Sequence, residues 1–356
     1  MAIQKIDIAE FIRLSASCPV VDVRSPGEYQ HAHFPGAHSL PLFTDEERKV
    51  VGTTYKQQSR EQAIKVGLDY FGPKMRPMVE AAERILASAG QLKSSSTDSK
   101  TLLLYCWRGG MRSAGVAWLL DLYGFRIFTL KGGYKRFRNH VLDSFSRSYR
   151  FHVLGGYTGS GKTEVLAALK KDGKRVIDLE NLAGHKGSAF GNIGMPAQPS
   201  QEMFENLLGR ALEDLVSEDP GGAIWIEDES QRIGHVNIPG SLWKTMRESP
   251  VFFLDIPFEE RLSHVVREYG HLERERMVNA IIRIQKRLGG LETRNSINFL
   301  LENNTTECFR ILLRYYDRWY RKSLHNRENL NTLLQEIPCK TAGAENARLL
   351  LNQYQI

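Results

Sequence analysis

The stretch Leu102–Ser113, LLLYCWRGGMRS, decides how the first part of the chain is read. A strand-like apolar run ends in one cysteine, Cys106; Arg108, two glycines and Arg112 follow, and then AGVAWLLDLYGF has the look of a helix. A loop between a strand end and a helix start aims backbone N–H groups and the positive helix end at its own centre. Such a cradle lowers a thiol's pKa and holds an anion beside it. Arg108 and Arg112 add charge and rigid hydrogen-bonding forks. Free cysteines at strand ends are commonly just buried. Here the glycines and arginines argue against burial and for a reactive thiolate, with Cys106, Arg108 and Arg112 as the catalytic set.

Cys106 to Arg112 reads C-x5-R, long enough to wrap amides around a tetrahedral oxyanion. With VVDVRSPGEYQHAHFPGAHSLPL (Val20–Leu42) before it and FTLKGGY (Phe128–Tyr134) after it, the segment resembles a rhodanese domain. Sulfurtransferase members usually carry a loop one residue shorter. The longer form resembles the related cell-cycle phosphatases and arsenate reductases. At this point the thiol could accept a chalcogen, attack a phosphoryl group, or handle a substrate that is both. Residues 44–74 add to a minimal rhodanese a charged, Gln-rich stretch that suits an exposed helical excursion beside the loop or a surface decoration. QLKSSSTDSK (residues 91–100) is a polar, low-complexity loop.

A second module opens at FHVLGGYTGSGKTEVLAALKK, a strand, a glycine-rich turn and a helix. Gly156–Thr163 matches G-x-x-x-x-G-K-[ST] at every fixed position. Such glycines let successive amides face a phosphate; Lys162 neutralises its charge and the Thr163 hydroxyl can sit on Mg²⁺. Gly156, Thr158, Gly159, Ser160, Gly161, Lys162 and Thr163 are therefore the diphosphate-binding candidates. The motif specifies a diphosphate or triphosphate, not a nucleotide. AIWI (residues 223–226) then delivers Glu227 and Asp228, either of which could be a Walker B-like metal carboxylate beside Thr163. No guanine-reading N-K-x-D motif follows, which disfavours a GTPase. ENLAGHKGSAFGNIG, with His185 and Lys186, reads as a mobile or substrate-facing loop.

From Pro257 the pattern turns helical, with long helices expected at Arg261–Leu288 and Ser296–Leu324. In the second, Arg310, Arg314, Arg318 and Lys322 recur every four residues and so share one face. Tyr315, Tyr316, Trp319 and Tyr320 are interleaved. The stripe could track an RNA backbone, with the aromatics stacking on unpaired bases; or it is a solvated face with the rings packed inward. The 356 residues carry a formal charge of +7, which favours an acidic partner. Four scattered cysteines suggest neither a zinc site nor a disulfide framework. With no signal-like or membrane-spanning run, a cytoplasmic protein is expected.

The fold class expected is α/β throughout: a rhodanese-like domain (1–138), a connector (139–150), a P-loop NTPase-like domain (151–256) and a helical C-terminal region (257–356). That order resembles one family closely, the bacterial tRNA 2-selenouridine synthases, on YCWRGGMRS, GTTYKQQSREQAIKVG, GGYTGSGKTEVL, IDLENLAGHKGSAFG and IEDESQRIG. The resemblance implies a transferase acting on wobble 2-thiouridine in the tRNA anticodon loop. It would S-geranylate the base with geranyl diphosphate, then bring in selenium from selenophosphate. Mg²⁺ and a selenophosphate-supplying partner fit that reading; a membrane or DNA does not. The alternatives are an ATP-dependent sulfurtransferase, a C-x5-R phosphatase with a fused nucleotide-binding domain, and a regulatory nucleotide-binding protein.

Overall fold

Alternating apolar strands and amphipathic helices build two sheets, one in each of two compact units, Met1–Ser144 and Phe145–Ile356. The structure is a computed structural model that describes residues 3–88, 100–219 and 221–354. The polar loop expected from residue 91 to residue 99 lies outside the described residues.

In the first unit, β1 (Ile3–Ile6) leads into α1 (Ile8–Ser15), which Asp7 caps by accepting from the Glu10 amide at 2.9 Å. There follow β2 (Val20–Asp22), α2 (Pro26–His31), β3 (His38–Ser39), α3 (Asp45–Gln57), α4 (Arg60–Phe71) and α5 (Met75–Ser88). Then come β4 (Thr101–Tyr105), α6 (Met111–Leu122), β5 (Arg126–Leu130) and α7 (Gly133–Ser144). The described strands form one parallel sheet, ordered β1-β5-β4-β2-β3. The strand β4, which leads to Cys106, is central, and Leu102, Leu103 and Leu104 are fully buried. The insertion at residues 44–74 is the helical excursion expected. A capping box starts α3, Thr44 and Glu47 each accepting from the other's amide. The hairpin is more than decoration, because Phe43, Phe71 and Val51 join the core under the sheet. α7 carries the first unit to Ser144, past the boundary expected at residue 138.

The second unit begins with β6 (Phe151–Gly156), α8 (Lys162–Lys171), β7 (Val176–Ile177), α9 (Leu179–Ala183) and α10 (Gln201–Glu218). β8 (Ile224–Glu227), a small hairpin of β9 (Arg232–Ile233) and β10 (Val236–Asn237), α11 (Gly240–Arg247) and β11 (Val251–Asp255) follow. The helical region is α12 (Phe258–Tyr269), α13 (Arg274–Leu288), α14 (Gly290–Leu301) and α15 (Thr305–His325). α16 (Leu330–Leu333), β12 (Leu334–Pro338) and α17 (Asn346–Tyr354) complete the unit. The main sheet is parallel, ordered β12-β11-β6-β8-β7.

Two expectations are corrected here. The two long helices are four: α12 stops at Gly270, and left-handed Asn303 (φ 61°) turns the chain before Asn304 caps α15 by accepting from the Glu307 amide at 3.2 Å. The C-terminal region is also not helical throughout, since β12 interrupts it to pair with β11. Among the described residues no helix is long and apolar enough to cross a membrane.

Candidate functional site

The thiol loop hangs between β4 and α6. Cys106 Sγ lies 3.2 Å from Ser113 Oγ, and Ser113 donates to the Gly110 carbonyl at 3.1 Å. Contrary to expectation, Cys106 is only 3% exposed. The reason is the KGGYK turn behind the loop. The Tyr134 and Lys135 amides donate to the carbonyls of Cys106 and Trp107 at 2.8 and 3.0 Å. Gly133 (φ +58°) fits so tightly there that a Cβ would lie 2.2 Å from the Cys106 carbonyl oxygen. The glycines of the motif thus bury the base of the loop rather than open it.

The arginines also differ from expectation. Arg112 reaches Glu28 rather than the thiol, with Nη1 2.6 Å from Oε2. Burial raises the Glu28 pKa, yet the Arg112 hydrogen bond and charge prevail and hold it below the ordinary carboxylate range. Arg48 of α3 lies 3.6 Å from the same carboxylate, which joins the inserted hairpin to the loop through Glu28. A tetrahedral oxyanion in the loop would compete with Glu28 for the Arg112 fork. Arg108 is exposed. Behind them a buried Arg24–Asp22 pair at 2.7 Å stacks its guanidinium on Tyr134, 3.8 Å from the ring centroid.

In the second unit the glycine-rich turn leaves β6 and enters α8 as its motif requires. Gly159 (φ +80°) must be glycine, because a Cβ would meet Val265 of α12 at 2.6 Å. Lys162 Nζ folds back on the Gly156 carbonyl at 3.0 Å, and Ser160 Oγ is buried with no hydrogen-bond partner among the described residues. Both groups suit a phosphate. Arg261 fixes the outer side of the turn, donating to the Thr158 carbonyl at 3.2 Å while forking onto Asp317.

The carboxylates expected to reach a metal are otherwise engaged. Glu227 is fully buried and accepts from the Leu179 amide at 2.8 Å; burial, with Asp178 nearby, pushes its pKa well up. Asp228 lines the cavity, but Arg327 forks onto both its oxygens and Tyr320 donates to one of them at 2.7 Å. The Tyr320 hydroxyl in turn accepts from the Gly156 amide at 3.1 Å. Thr163 Oγ1 lies 3.5 Å from Glu180, whose pKa burial raises against the pull of Lys162. Glu229, also lining the cavity, is pushed up to about 8 by burial and by Glu180. Among the described residues no cluster of three His, Cys, Asp or Glu could hold a metal ion. Of the Mg²⁺ set expected from Thr163, Glu227 and Asp228, both carboxylates are held by protein partners, and no step below runs through a metal.

The turn opens on a cavity of about 410 Å³. Its lining includes the glycine-rich turn with Lys186, the charged Glu180, Asp228, Glu229, Glu268 and Arg287, and an apolar share from Phe190, Val265, Tyr269, Phe309, Leu312 and Leu313. A polyanion cradle shares one chamber with an apolar, aromatic wall.

Comparison with known proteins places both units. Residues 7–140 match the rhodanese-like domain family, and residues 149–336 match the tRNA 2-selenouridine synthase AAA domain. The tRNA 2-selenouridine synthase of Aeromonas salmonicida is 33% identical over 87% of this chain and 88% of its own. That of Cupriavidus pinatubonensis is 36% identical over 88% and 91%, and that of Hydrogenovibrio crunogenus 37% identical over 76% of each. The chain belongs to the tRNA 2-selenouridine synthase family. It is an enzyme, a transferase, with a rhodanese unit followed by an AAA-type parallel-sheet unit and C-terminal helices.

The basic stripe of this synthase-family chain is smaller than its sequence suggests. Arg310 is tied to Glu259 and Glu307. Arg314, Arg318 and Lys322 stay exposed and, with Arg321 and His325, border a shallow groove. The interleaved rings mostly pack inward: Tyr315 is buried, Tyr316 accepts from the Ala189 amide at 3.0 Å, and Tyr320 holds Asp228. Trp319 alone of the four is exposed, at 39%, and it borders the cavity. His185 is buried with its pKa lowered by that burial, and Lys186 pairs with Glu268. Glu180, Glu229 and Arg327 escaped the sequence reading, and Tyr320, offered there as a ring for stacking on bases, instead holds Asp228. Glu229 stood in the EDE run and Glu180 in the IDLENL segment; nothing local marks Arg327.

Proposed function

We propose that the protein converts wobble 2-thiouridine in the tRNA anticodon loop to 2-selenouridine in two steps. First the thione sulfur attacks C1 of geranyl diphosphate; the C–O bond breaks, diphosphate departs and the base loses its N3 proton. Then selenophosphate attacks C2 through its selenium and the geranyl thiol leaves; water cleaves the remaining Se–P bond, releasing phosphate and 2-selenouridine. Gly156–Thr163 would cradle the diphosphate, with Lys162 neutralising the departing charge. The Cys106 loop, with Arg108 and Arg112, would handle selenophosphate, a tetrahedral anion carrying a transferable chalcogen. Arg314, Arg318 and Lys322 would meet the RNA backbone; Arg310 is already bound to carboxylates and contributes less.

One observation supports the prenyl diphosphate most: the phosphate cradle and the apolar wall share a chamber. Of the two carboxylates that could serve a hydrolysing P-loop protein, Glu227 is buried on the Leu179 amide and Asp228 is held by Arg327 and Tyr320. The sulfur of the tRNA is the nucleophile, so the chamber's work is orientation and charge neutralisation. Mass spectrometry of tRNA nucleosides after incubation with geranyl diphosphate, and separately with selenophosphate added, tests the reading. S-geranylated nucleoside in the first and 2-selenouridine in the second are expected. ATP turnover coupled to thiolation would instead favour a sulfurtransferase, and phosphate release from aryl phosphates a phosphatase.

A further inference from the structure

Three rings from three separate segments cluster in the apolar part of the chamber's lining. Phe190 comes from the loop after α9, Tyr269 from the end of α12 and Phe309 from α15. Their centroids stand 5.8 Å (Phe190–Phe309), 6.4 Å (Phe190–Tyr269) and 6.2 Å (Tyr269–Phe309) apart, and all three line the cavity. Phe190 and Phe309 are 4% and 3% exposed and belong to the core between the helices.

α12 supplies a scale. Arg261 holds the Thr158 carbonyl and Val265 abuts Gly159, so this helix begins its course at the phosphate cradle. At a rise of about 1.5 Å per residue, Tyr269 stands roughly 6 Å beyond Val265 and roughly 12 Å beyond Arg261. An extended chain gains about 1.1–1.2 Å per backbone bond, so the eight in-line carbons of a geranyl group reach about 8 Å and the twelve of a farnesyl group about 13 Å. Two contacts tie down the segments that carry the rings: Tyr316 holds the Ala189 amide at 3.0 Å, and Lys186 pairs with Glu268, one residue before Tyr269.

We propose that Phe190, Tyr269 and Phe309 are the stop that sets prenyl chain length, admitting two isoprene units and refusing a third. The proposal rests on the prenyl diphosphate reading above. A longer tail would have to push a ring into close-packed core, whereas a shorter one leaves wall uncovered. Pockets of this kind discriminate about 10- to 200-fold per small change in fit.

The test is kcat/KM of the full-length protein for S-alkylation of tRNA with geranyl and with farnesyl diphosphate, for wild type, Phe309→Ala and the milder Phe309→Leu. Wild type should prefer geranyl. Phe309→Ala should lower the geranyl-to-farnesyl ratio at least tenfold and raise the farnesyl rate itself, Phe309→Leu less so. The ratio is insensitive to the fraction of folded enzyme, so partial unfolding does not mask the answer. Competition by inorganic diphosphate should be unchanged, since the cradle is untouched. An unchanged ratio in both variants, or a wild type indifferent to chain length, overturns the stop while leaving the prenyl reading standing. A wild type that binds tRNA yet transfers neither prenyl group overturns that reading, and the stop with it.

Discussion

Arg327 holds both oxygens of the Asp228 carboxylate, at 3.0 Å to Oδ2 and 2.7 Å to Oδ1, from a position 99 residues along the chain. Both side chains are almost wholly out of water, at 1% and 8% exposure. Tyr320 shares the carboxylate and reaches the Gly156 amide, so the chain just after α15 braces the start of the phosphate turn. Removing one partner strands a buried charge, which costs about 3–5 kcal/mol. Asp228→Ala should therefore lower the denaturant midpoint markedly, whereas an acid whose only task was metal binding would leave it in place. Chemical unfolding of the two proteins decides between them.

A second prediction concerns Cys106. Ser113 has one hydroxyl proton and two neighbours, the thiol sulfur at 3.2 Å and the Gly110 carbonyl at 3.1 Å. A thiolate needs that proton turned toward sulfur, alongside the loop amides and the α6 N-terminus. Ser113→Ala should slow alkylation of Cys106 by iodoacetamide at a fixed pH, since the nucleophilic sulfur loses the Ser113 hydrogen bond. An unchanged rate in the folded variant removes Ser113 from the case for an activated thiol.

The third prediction uses the groove on α15. Arg314 and Arg318 are exposed and carry little stability, so their joint reversal to Glu should weaken tRNA binding without unfolding the protein. Affinity should also fall steeply with added salt. Arg310→Glu should do less to binding, because Arg310 already serves Glu259 and Glu307. Filter binding across a salt series measures all three. Unchanged affinity in the double variant would move the RNA contact elsewhere.

The fourth is a pH effect. His264 of α12 lies 3.3 Å from Glu164 of α8, and its pKa is raised chiefly by that hydrogen bond. A histidine whose folded pKa exceeds its unfolded value contributes stability below the unfolded value, near 6.5, and loses it as pH rises through the folded one. Glu164 is 43% exposed at its side chain, so the contribution is under about 1 kcal/mol. Wild type should lose slightly more thermal stability between pH 6 and pH 9 than His264→Gln. Parallel melting curves for the two proteins would contradict the pairing.

What the sequence made legible follows the range of its signals. The glycine-rich turn, the C-x5-R loop and their flanking strands are local, and each is found where its motif implies. Motif chemistry misled at Cys106, because the glycines that open a loop on paper also let Gly133 press against it. The α15 stripe misled for the opposite reason. Periodicity placed Arg310, Arg314, Arg318 and Lys322 on one face correctly, but Glu259 is on another helix and no spacing announces it. The same holds for Arg327 on Asp228 and for Glu28 on Arg112. β12 is a short strand whose partner β11 lies some 80 residues earlier, so the five residues Leu334–Pro338 say little before the sheet is seen.

The last prediction is that the two loops run separable steps in a fixed order. On the function proposed, Lys162, 3.0 Å from the Gly156 carbonyl, neutralises the charge of the departing diphosphate. Cys106 belongs to the other unit, in the loop proposed to handle selenophosphate. Lys162→Ala should block geranylation and, with it, any selenation that needs the geranylated base. Loss of one transition-state charge contact costs on the order of two to three powers of ten in rate. Cys106→Ala should leave prenyl transfer largely intact, because the tRNA sulfur attacks and no protein thiol takes part. S-geranylated tRNA should then accumulate while 2-selenouridine fails to appear. Nucleoside analysis of both variants reads this directly. If Cys106→Ala abolishes both products in a folded protein that still binds tRNA, the thiol is needed for the first step too, and the order argued here is wrong.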